Sequence, residues 1–164
     1  MSSGFASLGG DLSAKQVLLR IEMRGVSDTS KELFSQPNEW AQVISGVASG
    51  NAEWLLVATR LLKSADAAAA ETLLLSLGEA LESSAERVLE LGATKNISLD
   101  RVCSVPDIDD PRFNSQELAL AAIAKRQSAV SLVDDPALKN ERSLCLRELM
   151  RARPLIEGFF GDKP

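Results

Sequence analysis

Each long apolar pattern in this chain recurs at i, i+3, i+4 and i+7, and none alternates with period two for long. That spacing lines one face of an α-helix, whereas a half-buried strand needs alternation. An all-α fold is therefore expected, with about eight short helices in a single compact bundle or a short stack of helix pairs. The composition agrees: aromatics are 4% and tyrosine is absent, while Leu and Ala, both strong helix formers, dominate. A chain of 164 residues fits one domain and buries roughly two-thirds of its unfolded surface.

Local signals place the helices. Ser13 and Gln16 have capping-box spacing ahead of Ala14, Val17, Leu18 and Ile21, and Gly25 can end that helix. A second, over about Ser27 to Phe34, buries Leu33 and Phe34. Pro37 suits the first turn of a third, with Trp40, Val43, Ile44 and Val47 on one face and Gly50 closing it. Asn51 opens a fourth with Trp54, Val57, Ala58 and Leu61. A fifth runs from Ser64 or Asp66 to Leu81, and Ser84 caps a sixth that Gly92 ends.

From Ala93 to Phe113 the pattern fails, apart from a turn around Ser98 to Val102, and Pro106 and Pro111 bracket an acidic loop. Asn114 and Glu117 have capping-box spacing for a seventh helix, with Leu118, Ala121, Ala122 and Leu132 on one face. Asp135 and Pro136 start an eighth, with Leu138, Cys145 and Leu149 inward. Pro154 stops it, and Leu155 to Pro164 folds back. The domain is expected over 13–164, after a flexible small-residue leader over 1–12.

The chemistry is narrowed by an absence. There is no histidine, which removes the commonest general base and metal ligand and the Ser-His and Cys-His pairs. The net charge is −5, and the residues up to Gly92 carry all of that deficit, so a nucleic-acid footprint is not expected. Arg142, Arg147, Arg151 and Arg153 gather near the C-terminus, where cations favour a helix dipole. No run approaches the roughly 20 apolar residues of a membrane span. Met1 to Gly10 lacks the charged and apolar regions of a signal peptide. Glu79 with Glu82, and Glu86 with Glu90, read as solvated helix surface, and Trp40 and Trp54 as core. A non-enzyme without cofactor or metal is the expectation.

Cys103 and Cys145 stand 42 positions apart without further ligands at metal spacing, which excludes zinc. Either they bond, pinning the irregular segment to the last helix, or they are two buried thiols of a reduced core. The run Asp107, Asp109, Asp110 lacks the glycine and distal glutamate of a calcium loop. Two readings of it remain: a solvated connection feeding the Asn114 cap, or a recognition loop in which Asp107, Asp109, Asp110, Arg112 and an exposed Phe113 meet a protein partner.

Val102-Cys103-Ser104-Val105-Pro106, then Asp134-Asp135-Pro136-Ala137-Leu138 and Cys145-Leu146, resemble the C-terminal part of small exported all-helical proteins of proteobacteria. Gly50-Asn51-Ala52-Glu53-Trp54-Leu55 through Ser64-Ala65-Asp66-Ala67 is similar to the same group. The resemblance implies a periplasmic protein with a Cys103 to Cys145 bridge. Immunity proteins that neutralise type VI secretion peptidoglycan amidases are similar in size, helicity and paired cysteines, although none of their binding motifs maps onto positions here. A periplasmic binding protein, of the immunity kind, is thus one expectation. A cytoplasmic helical adaptor presenting a groove is the other, and a homodimer is compatible with either.

Overall fold

The computed structural model describes residues 10–161. Most of the expected leader, and the end of the tail, lie outside them. The described residues form eight α-helices and one short 3₁₀ turn, with no strand among them. In order these are α1 (Ala14–Arg24), α2 (Val26–Ser35), α3 (Pro37–Ala48), α4 (Ala52–Leu61), α5 (Ala67–Ala93), α6 (Leu99–Val102), α7 (Gln116–Ser131), the turn Pro136–Leu138, and α8 (Lys139–Gly161).

Capping chemistry sets several starts. Ser13 and Gln16 form a reciprocal box at α1, Pro37 occupies the first turn of α3, and the Asn51 and Asp66 side chains accept backbone N–H groups at α4 and α5. The expected fifth and sixth helices are the two arms of α5, which breaks at Ser84 (φ −144°, ψ 41°). There the Ser84 and Ser83 hydroxyls donate to the carbonyls of Gly50 and Ser49 at 2.9 and 3.0 Å. The break in α5 therefore satisfies the free carbonyls of the α3–α4 turn. Gly50, at φ +75°, makes that turn.

Other boundaries differ from the sequence reading. Lys95, not Gly92, turns left-handed after α5 (φ +58°), with Lys95 N donating to Gly92 O and Asn96 N to Leu91 O as a Schellman closure. Ser115, one residue past Asn114, caps α7. The buried face of α7 is Ala119, Ala122, Ile123, Arg126 and Val130, while Leu118 and Leu132 are exposed. Apolar residues lie all around α7, so its sequence does not single out a face. Phe34 is exposed and meets the ring of the buried Trp40 edge-on at 5.2 Å.

Pro154 does not stop α8, and residues 155–161 extend the helix instead of folding back. The apolar stripe Cys145, Leu149, Ala152, Ile156 runs through it. Proline frees one carbonyl, that of Met150, an exposed residue of the helix, so the lost donor can be replaced by solvent.

α5 is the axis of the molecule, packing against α3, α4, α6, α7 and α8. Its Leu73, Leu77, Ala80, Leu81, Val88 and Leu89 are fully buried. Contacts of α1 with α4, α2 with α4 and α5 with α8 join helices that are not consecutive in the chain, and the buried apolar residues of all of them belong to one core cluster. Cys103 and Cys145 form a fully buried disulfide that joins the end of α6 to α8.

Candidate functional site

The segment between α6 and α7 leaves the disulfide at Cys103, passes the buried Pro106 and makes two successive turns. Asp110 N donates to Asp107 O, and Phe113 N to Asp110 O. Each turn opens on an aspartate whose carboxylate also accepts a backbone N–H two residues on, Asp109 N at 3.1 Å and Arg112 N at 2.8 Å. Aspartate at the first turn position and proline next, as in Asp110-Pro111, are the residues such turns favour.

Arg112 locks the second turn to α5. Its Nη1 and Nη2 donate to the two Glu79 oxygens at 2.8 and 3.1 Å, and its Nε and Nη2 engage Asp110. The guanidinium beside it holds the Asp110 carboxyl below the usual carboxylate range, and the paired carboxylates of Asp110 and Glu79 raise Arg112 above its ordinary value.

Phe113, expected to be exposed, is half-buried. Arg112 lies 5.0 Å from its ring centre and Arg126, from α7, 5.8 Å. Such contacts with a desolvated cation add to the anchoring of the loop. Arg126 itself is 1% exposed, and neither its Nε nor its Nη2 has a hydrogen-bond partner. Its nearest counter-charge is Glu82, whose Oε1 lies 3.6 Å from Nε. Burial lowers the Arg126 pKa, with Glu82 and Glu79 opposing that shift. Glu79 and Glu82 are therefore partners of arginines and not merely solvated helix surface.

The ion pair of Arg112 with Glu79 separates two clefts, since both residues line each. One, about 560 Å³, lies between α5 and α7 and includes Glu82, Phe113 and Lys125. The other, about 400 Å³, lies between α3 and α5, with Trp40 and Ile44 on one wall and Asp107 and Asp110 at one end. Of the five residues expected to bind a partner, Asp110, Arg112 and Phe113 are thus tied into the body, while the hydrogen bonds of Asp107 stay within the loop. Asp109 is exposed, and its carboxylate has no partner among the described residues.

No group of three or more potential metal ligands occurs among the described residues, and no described helix is long and apolar enough to cross a membrane. No protein-family model, curated protein or solved structure matches the chain.

The sequence reading passed over Arg126 and took Glu79 and Glu82 for solvated helix surface. Arg126 falls at i+3, i+4 and i+7 from Ile123, Ala122 and Ala119, but with apolar residues all around α7 that stripe does not stand out in the sequence. Glu79 carried no signal, because its partner Arg112 arrives only through tertiary packing.

Proposed function

We propose that this chain is a non-catalytic binding protein of the bacterial periplasm, of the immunity kind, which neutralises a secreted cell-wall-degrading toxin by covering its active site with the 107–113 loop. The observation that carries the reading is that contacts within the chain hold this loop in one shape. A buried disulfide precedes it, aspartate turns shape it, and Arg112 on Glu79 closes it. A pre-ordered loop loses little conformational freedom on binding, and its carboxylates steer a cationic active-site rim into register.

The disulfide also supports an oxidising compartment over the cytoplasm, and so favours this reading over a cytoplasmic adaptor. The perturbed charges of the loop are held by permanent counter-charges and serve position, not proton transfer.

The test is protection. A panel of secreted peptidoglycan amidases is directed to the periplasm of a Gram-negative host that co-expresses this chain with or without an export leader. Growth should be rescued from at least one amidase by the exported chain alone. Rescue from neither compartment, or equally from both, contradicts the reading.

A further inference from the structure

The cleft between α3 and α5 differs from the rest of the surface in being an apolar trough with an anionic end. Trp40 and Ile44 of α3 face Leu75 of α5 across it. The trough is fixed before anything enters: the Trp40 indole N–H donates to Thr72 Oγ1 at 3.2 Å, and the exposed Phe34 ring braces the indole edge-on. Trp40 is thereby buried as the floor of the trough, and the apolar surface left to a partner is that of the exposed Phe34 and the half-buried Ile44 and Leu75.

The charges at the far end do not balance. Glu79, Asp107 and Asp110 supply three carboxylates there and Arg112 the one guanidinium. That guanidinium is already shared between Glu79 and Asp110, and the Asp107 oxygen that accepts from Asp109 N leaves its negative charge uncompensated. An anion, an acidic peptide or an anionic lipid surface is repelled at this end, while a cation is attracted.

We infer that the α3–α5 trough is a docking groove for a segment of the partner protein that places an aromatic or aliphatic side chain against Phe34, Ile44 and Leu75, above the buried Trp40, and a lysine or arginine at the carboxylate end. This rests on the protein-binding reading above and names the partner's chemistry at a surface adjoining the loop. The two contacts act together: the loop meets the partner through Asp109, and the groove beside it holds a basic-apolar segment of the same partner. The match is one of charge and shape, with positive meeting negative around an apolar centre.

The test uses the oxidised full chain and a random 12-residue peptide library displayed on phage. Enriched peptides are made synthetically and titrated against the Trp54→Phe variant, in which Trp40 is the one remaining tryptophan. The account expects enrichment of peptides with an apolar residue within a few positions of Lys or Arg, and a change in Trp40 emission on binding. Two variants keep the fold in view. Ala41→Arg, at an exposed helical position lining the trough, lays an alkyl stem and a guanidinium in the groove and should weaken binding at least tenfold. Asp107→Asn keeps the oxygen that accepts from Asp109 N, removes the charge and should weaken binding severalfold.

No enrichment, enrichment of acidic peptides, or binding indifferent to Ala41→Arg overturns the inference. So does a concentration-dependent dimer that Ala41→Arg abolishes, since a second copy is then the occupant. A toxin whose affinity responds to loop substitutions and not to Ala41→Arg removes the groove and leaves the immunity reading standing. Groove-binding peptides without any protection in cells do the reverse.

Discussion

Arg112 reaches back 33 positions to grip Glu79 with two parallel hydrogen bonds, fixing a loop that its own sequence would leave open. Bidentate pairs of this kind add directional specificity to their energy. Together with the Cys103 to Cys145 bond, this contact fastens both ends of one irregular segment to the helical body.

The disulfide should contribute to stability through the unfolded chain. With 42 positions between its cysteines, the loop-closure relation gives about 4 kcal/mol. Denaturant unfolding of the oxidised protein against the Cys103→Ala, Cys145→Ala double variant should show a loss of that order. The amides of 104–113 should also exchange faster in the variant. Equal midpoints would contradict the role assigned to the bond.

Glu82 and Arg126 should respond asymmetrically to substitution. Glu82→Gln leaves a buried guanidinium without its nearest counter-charge and should cost about 3 kcal/mol. Arg126→Met removes two N–H-bearing nitrogens that lack partners and leaves Glu82, 32% exposed, to be hydrated. Its cost should stay below about 1.5 kcal/mol, or the variant should gain stability. Calorimetric melting of the two variants decides the order, and a larger loss for Arg126→Met reverses the account.

Acid should be the destabilising direction. Arg112 holds the Asp110 carboxyl low, and Arg20 does the same to Glu39 by donating to both its oxygens. A carboxyl depressed in the folded state stabilises the fold above its unfolded pKa and loses that contribution as pH falls through the folded value. With no histidine to titrate between pH 5 and 8, the melting temperature should be nearly flat there and fall below about pH 4. Asp110→Asn should lower the plateau and shrink the acid drop. A midpoint that declines between pH 7 and 5 contradicts this assignment.

Much of the helical layout is legible in the sequence because caps and apolar stripes are local. Ser13, Pro37, Asn51 and Asp66 mark their helices, and Ser84 marks the break in α5. Pro154 misleads because a rule about backbone donors is set against an apolar stripe, and here the stripe of Cys145, Leu149, Ala152 and Ile156 prevails. The loop is legible as acidic and proline-bracketed, but its order is not. That order depends on Glu79 and Arg126, which the fold brings from two other helices.

The central claim, that the 107–113 loop is a pre-ordered recognition element, is tested most directly at Asp109. Its carboxylate is exposed and takes no part in holding the fold, so Asp109→Lys should leave the melting temperature unchanged. The measurement is the dissociation constant for an amidase that the protection experiment identifies, by calorimetric titration of the parent and of Asp109→Lys. The account predicts a value raised tenfold or more, with most of the change in the association rate and its salt dependence. An unchanged dissociation constant in a folded variant would contradict the claim and leave the loop as a connection between helices.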